Sequence, residues 1–390
     1  MLGPSGRLRP LRFRPSLRFI LERSLLLPFG AAVALAWANV DAAGYHTFAH
    51  ALEFAVNDIG MVFFFGLAMK EIVEAAVPGG ALNSWRRAGM PIAAAAGGMV
   101  APPLMYLAIV AASGHPELHR GWAIPCATDI AFSYLVARTI FKDHPAIPFL
   151  LVLAIADDAF GLVVLAIFYP AGALNLPLAA GLMAAAIVVA LGLRRARVRI
   201  FWPYVLVAGA VSWVALFLGG LHPALALVPV IPFLPHAARD PGLFVDAPPE
   251  ATDALSEFEH WWKYPVQLVL FLFGLVNAGV EVTAVGPGTW AVLGAIVVGK
   301  PIGIGLSVAV AAMSGLRLPE GLGAREVAIV GCAAGIGFTV ALFFATAAFP
   351  QGRELDQAKL GALLSLMSAA AAYGVGWAWR KTPISSAKRP

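Results

Sequence analysis

Long apolar runs, separated by short charged or Gly/Pro-rich breaks, organise this chain. A membrane-crossing helix needs about 20 mostly apolar residues, because 1.5 Å per residue must cover roughly 30 Å of hydrocarbon. Windows of that kind fall at 19–38, 52–76, 88–113, 121–140, 146–169, 174–193, 201–218, 221–235, 262–281, 289–313, 325–348 and 358–379. They predict an all-α integral membrane protein of about twelve transmembrane helices, the eighth of them short. The transporting unit would be 19–379, between a basic N-terminal segment (1–18) and a basic tail (380–390). The first run follows Arg23 and ends near Ala36-Trp37-Ala38, an outline that a cleavable signal shares. A retained helix is the preferred reading. The long polar loop, 236–261, carries Asp240, Asp246, Glu250, Asp253, Glu257 and Glu259 and reads as solvated, with a short amphipathic helix.

Composition supports lipid as the solvent. Hydrophobic residues make up 60% of the chain and charged residues 13%, about half the roughly 25% of a soluble protein. So few charges cannot cover a water-facing surface. The same numbers exclude a disordered chain and a disulfide scaffold, since Cys126 and Cys332 are the only cysteines and both sit in apolar stretches. The net charge of +5 does not indicate a nucleic-acid partner, because its placement follows the loops. With the N-terminus inside, almost every Lys and Arg falls on an inner segment, from Arg7 and Arg86 through Arg138, Arg194 and Arg317 to Arg389. The outer segments hold only Arg120, Arg353 and Lys359, while Lys70 and Lys300 lie within spans. Positive inner loops set orientation, so both termini are expected in the cytoplasm.

Charges inside the spans carry the chemistry, since burying them in a bilayer is expensive. Asp157 and Asp158 stand together in the middle of the apolar run Phe149–Phe168. Consecutive helical residues point about 100° apart, so both carboxylates can border one cavity. Two adjacent acids in low dielectric cannot both ionise cheaply. Protons and a hard cation would then compete for the same oxygens, and an oxygen-only donor set suits Na⁺, Li⁺ or a group-two ion better than zinc. The bland alternative is a helix-packing pair. Lys300, in Gly299-Lys300-Pro301, is the one deep cation and the natural partner of Asp157 or Asp158.

Pro125 interrupts the fourth span just before Cys126-Ala127-Thr128-Asp129, and Gly331…Gly335-Ile336-Gly337 interrupts the eleventh. Broken apolar segments in corresponding halves point to a transport site. The alternative for each glycine run is a close helix-packing face. Half-helix ends leave partial charges; Asp129 is placed to offset N-terminal ends and Lys300 C-terminal ends, with Thr128 and Thr339 as hydroxyl donors. Asp58, after Asn57, either lines an access funnel or sits at the interface. Lys70, Glu71 and Glu74 are expected to snorkel to inner water. His222 reads as a structural residue and His260 as solvated.

Taken together, Gly121-Trp122-Ala123-Ile124-Pro125, Ala127-Thr128-Asp129, Asp157-Asp158, Gly299-Lys300-Pro301, Gly335-Ile336-Gly337-Phe338-Thr339 and Asn277-Ala278-Gly279 resemble the NhaA family of bacterial sodium/proton antiporters. The likeness runs from about Asn57 to Ala378, in order. That family is itself a known instance of inverted-topology repeats, so the repeats come with the resemblance rather than from the residues. It implies an NhaA-like fold with core repeats at about 88–169 and 289–379, around crossed broken helices 4 and 11. It makes Asp158 the main Na⁺ and proton ligand and Asp157 its partner, paired with Lys300 in the protonated form. Thr128 and Asp129 become auxiliary site residues. It implies no cofactor beyond the transported Na⁺ or Li⁺ and H⁺, no nucleic acid, a lipid bilayer as surroundings, and a bacterial inner-membrane location.

Two departures stand out. The family's Glu-x-Lys-Arg-Glu at the end of the second span is here Ala68-Met69-Lys70-Glu71-Ile72, which removes both acids tied to its pH response. Its homodimer uses an outer hairpin between spans 1 and 2, and the short Asn39–Glu53 link offers no counterpart. The expected activity is electrogenic antiport, sodium out against a larger number of protons. A divergent ion-binding or sensing member with weak exchange is the main alternative. A membrane enzyme would need acids repeated at helical spacing to hold Mg²⁺ and diphosphate, and a channel would need a selectivity motif; neither is present.

Overall fold

The computed structural model describes residues 26–236 and 253–380. The basic N-terminal segment, the first residues of the predicted first span, most of the acidic part of the long loop and residues 381–390 lie outside the described residues. Every element among those described is helical. Six helices are long and apolar enough to cross a bilayer, and eight if each of two bent pairs counts as one span. Leu26–Val40 and Tyr204–Leu218 are shorter apolar helices. Large apolar side chains lie open on the outside, such as Val188 at 68% and Leu104 at 63% exposure. An apolar surface of this kind belongs against lipid.

The elements follow the apolar runs in most places, and three departures have local causes. Asp41 caps a helix by accepting from the Gly44 amide at 3.0 Å, and that helix runs 35 residues, Ala42–Ala76. The expected Asn39–Glu53 link is therefore helical and continuous with the second span. At 1.5 Å per residue it extends about 50 Å, longer than the hydrocarbon layer. The run 221–235, expected as a short span, is not a continuous helix. It forms two 3₁₀ turns, Pro223–Leu225 and Ile231–Phe233, joined by further turns. Pro223, Pro229, Pro232 and Pro235 remove amide donors at every turn. The i→i+3 bonds Ala226 N to Pro223 O, Val228 N to Leu225 O and Leu234 N to Ile231 O satisfy the rest. Leu227, Val230 and Ile231 are buried, so apolar character here records protein packing. Finally, Asp253 caps Ala254–Asn277, accepting from the Ser256 amide at 3.0 Å. The helix expected within this loop is thus not a separate short one: it starts at Ala254 and runs on into the ninth expected span.

Two breaks position the site. Pro116–Cys126 is a 3₁₀ segment, followed after Ala127, Thr128 and Asp129 by the helix Ile130–Phe141, with a bend of 55°. Ala324–Ala334 and Phe338–Ala348 meet at 51° across Gly335, Ile336 and Gly337. The breaks touch: the Asp129 amide donates to Ile336 O at 2.6 Å and Ser133 Oγ donates to Ala333 O at 2.8 Å. Backbone groups left by one break are taken up by the other, which is the condition for irregular backbone at membrane depth. Three helices also contain π turns, at Ala55–Gly60, Tyr204–Gly209 and Ala295–Gly299.

Candidate functional site

The continuous helix Ala146–Phe168 passes the two breaks and carries Asp157 and Asp158 at their level. The 100° step between them separates their surroundings. Asp157 is buried at 3% exposure. Its Oδ2 accepts from Lys300 Nζ at 2.8 Å and from the Thr128 hydroxyl. Its Oδ1 has no hydrogen-bond partner among the described residues. Asp158 is only half-buried and takes part in no hydrogen bond or ion pair with the described residues. Both line a cleft, together with Thr128, Cys126 and the rings of Phe64 and Phe344.

Lys300 is fully buried. Its three N–H groups are shared among four acceptors, Asp157, Thr128 Oγ1 at 2.7 Å, Ala127 O at 2.9 Å and Cys126 O. The last two are carbonyls at the C-terminal end of the 3₁₀ half of the first broken span, where a cation is favoured. Thr128 links the breaks, its single hydroxyl proton shared between Asp157 Oδ2 and Ala334 O, the latter at 2.9 Å. Asp129 lies on the opposite polarity. Its carboxylate accepts from the Phe132 amide at 3.3 Å, from the Thr339 amide at 3.4 Å and from the Thr339 hydroxyl. It thereby faces the N-terminal ends of Ile130–Phe141 and Phe338–Ala348, where an anion is favoured. Thr339 is spent on Asp129 and does not border the cleft.

Asp58 is not brought to this cluster. It sits in the π turn Ala55–Gly60, with Oδ1 3.9 Å from His222 Nδ1. Its backbone carbonyl accepts from Trp213 Nε1 at 2.8 Å. Its neighbour Asn57 exchanges two amide hydrogen bonds with Asn277, at 3.0 and 2.8 Å.

Lys70 corrects the expectation that it reaches inner water. Its side chain is 3% exposed and its ammonium lies 2.7 Å from Glu74, 2.7 Å from Glu259 and 3.3 Å from Glu71. The i,i+4 spacing of Lys70 and Glu74 was a readable signal. Glu259, nearly two hundred residues away, was not. It faces Lys70 because Ala254–Asn277 begins early enough to put it on a buried helical face, while His260 points outward.

No group of three or more His, Cys, Asp or Glu able to hold a metal ion is found among the described residues. The cleft offers carboxylate and hydroxyl oxygens, a donor set for a hard cation held weakly enough to leave.

Comparisons with known proteins identify the family. The model of the family "Na+/H+ antiporter 1" matches residues 21–378. A Geobacter sulfurreducens protein named Na(+)/H(+) antiporter NhaA is 48% identical over 361 residues, covering 90% of this chain and 94% of that protein. One of the same name from Desulfitobacterium hafniense is 45% identical over 373 residues, covering 93% and 96%. Among solved structures, the sodium proton antiporter MjNhaP1 from Methanocaldococcus jannaschii at pH 8 superposes with a TM-score of 0.56 over 92% of each chain. At 14% identity that likeness concerns the fold alone.

Proposed function

The chain belongs to the Na+/H+ antiporter 1 family, and from that premise we propose that it exports Na⁺ or Li⁺ across a bacterial inner membrane in exchange for a larger number of protons. The observation that carries this reading is the split environment of the acid pair. Asp158 keeps its oxygens for the cleft, and Asp157 holds Lys300 with one oxygen while the other has no partner among the described residues. A cation entering the cleft meets Asp158 first and gains Asp157 Oδ1 and Thr128 as further donors. Protons compete for the same carboxylates, since a bilayer interior does not tolerate two bare neighbouring charges. Binding one therefore expels the other.

Asp129 and Lys300 keep the half-helix ends compatible with both forms, because each neutralises the end charge of a break. Alternating access then comes from one helical bundle rocking against the other around the fixed site. In this reading the chain crosses the membrane about twelve times, the eighth time through the 3₁₀ turns of 221–235 packed inside the protein, with inverted repeats at about 88–169 and 289–379, crossed broken helices, both termini in the cytoplasm and Asp58 in an outer access funnel.

A cycle moving one net charge gains about 2.3 kcal/mol from a 100 mV potential, enough for roughly a fifty-fold sodium gradient. The test is coupled flux in proteoliposomes. Sodium added outside is expected to drive proton movement at several pH values, faster when the potential is collapsed by valinomycin and potassium if charge is being moved. Sodium binding without proton movement would identify a sensing protein, and proton movement indifferent to potential would remove the electrogenic part.

A further inference from the structure

The last span is interrupted at Ser365 and Leu366, between Arg353–Leu364 and Met367–Arg380. Ser365 and Ser368 flank this interruption three positions apart, and both are fully buried. Neither hydroxyl has a hydrogen-bond partner among the described residues. Two such hydroxyls are unusual in a native interior, since each orphan costs about 1–3 kcal/mol.

Ser368 faces a corner with other polar groups, and Ser365 lies one turn before it, joined to it by the Ser368 amide donating to Ser365 O at 2.9 Å. A Cβ built on Gly335 would lie 2.9 Å from Ser368 Oγ and 3.2 Å from both Ile296 O and Cys332 O. Glycine is what leaves room for these oxygens to converge. Cys332 O is taken by the Gly335 amide at 3.1 Å. Ile296 O is in a different position. It belongs to the π turn Ala295–Gly299, where the Lys300 amide donates to Ala295 O. In that register the donor for Ile296 O would be residue 301, which is proline and has no N–H. A carbonyl stripped of its helical donor thus meets a buried hydroxyl that needs an acceptor.

We propose that Ser368, Ser365 and the Ile296 carbonyl hold a buried water at the glycine corner of the second broken span. A water needs two to four polar partners in a roomy polar site, and these three groups supply that number. The set is neutral, and the positive charge of Lys300 stands four residues from Ile296, so a cation is disfavoured there. The water is a positioning element. Gly335 follows Ala334, whose carbonyl shares the single Thr128 hydroxyl proton with Asp157. Tying Ile296 to Ser368 across this corner fixes the height of Ala334 O, and through Thr128 the orientation of Asp157.

The experiment pairs a high-resolution map of the full-length protein with the double variant Ser365→Ala/Ser368→Ala. The map is expected to contain a density peak within hydrogen-bonding distance of Ser368 Oγ and Ile296 O. The variant is expected to melt below the parent and to raise the sodium concentration for half-maximal exchange by about three- to tenfold, the ratio set by one ordinary hydrogen bond, with the maximal rate kept. The opposite sign is equally readable. If the hydroxyls are simply orphaned, alanine removes an unfavourable burial, and melting rises or stays put with the half-maximal concentration unchanged. That result, or a map in which both serines bond backbone carbonyls with no peak between them, overturns the proposal. The transport arm rests on the antiport reading, whereas the map and the melting arm do not, so failure of one is distinguishable from failure of the other.

Discussion

Replacing Lys70 by methionine removes the cation from a cage of three carboxylates and keeps the side chain's length. In the parent, Lys70 Nζ lies 2.7 Å from both Glu74 and Glu259 and joins the helix Ala42–Ala76 to Ala254–Asn277. Taking away one member of a buried pair leaves an uncompensated charge and costs about 3–5 kcal/mol. Here Glu71, Glu74 and Glu259 keep 23%, 18% and 16% of their side-chain exposure. Some hydration therefore remains, which places Lys70→Met near the lower end, at about 3 kcal/mol. Thermal melting of the purified protein in detergent measures it. The penalty depends on ionised acids, so it is expected to be full at alkaline pH and to shrink as pH falls and the orphaned carboxylates take up protons. Adding Glu74→Gln and Glu259→Gln to Lys70→Met should recover most of the loss. Equal melting of Lys70→Met and parent at alkaline pH would refute the reasoning, because a snorkelling lysine contributes almost nothing.

Other substitutions test the site. Lys300→Ala removes the donor to Asp157, Ala127 O and Cys126 O; it is expected to lower melting and displace the pH profile of exchange while leaving some exchange, and an unchanged melting point and profile would count against it. Thr128→Val deletes the hydroxyl between Asp157 and Ala334 O; weaker sodium binding by about one hydrogen bond, roughly tenfold, is expected in titrations of exchange rate. Asn277→Leu breaks the two-way amide pair and leaves Asn57 unsatisfied, with a stability loss of about 1–3 kcal/mol in the same melting assay.

Much of this architecture is legible in the residues, for physical reasons that also mark where legibility ends. Lipid-facing helices announce themselves because the bilayer demands an unbroken apolar run, as in 88–113 and 174–193. The breaks announce themselves because Pro125 and the Gly335–Gly337 corner cannot continue a helix. The run 221–235 misled because apolar content measures removal from water, not removal into lipid; its four prolines were the better guide. The Lys70 cage was half hidden. Its local arm follows helical spacing, but Glu259 arrives only through packing of a helix whose start lay inside a stretch read as loop. The division of labour between Asp157 and Asp158 came only with the family resemblance, since periodicity alone cannot separate identical neighbours that differ in what the next helix presents. The three π turns leave no apolar signature, because they add one residue to a turn without changing which residues are apolar.

The central claim is that Asp158 is where sodium and protons compete. The most direct measurement is sodium-dependent proton release from the purified protein, comparing the parent with Asp158→Asn at matched folding. The account predicts release on sodium addition to the parent and none from the variant, with melting little changed because Asp158 holds no hydrogen bond among the described residues. Undiminished release from Asp158→Asn would contradict it and move the exchange site elsewhere in the fold.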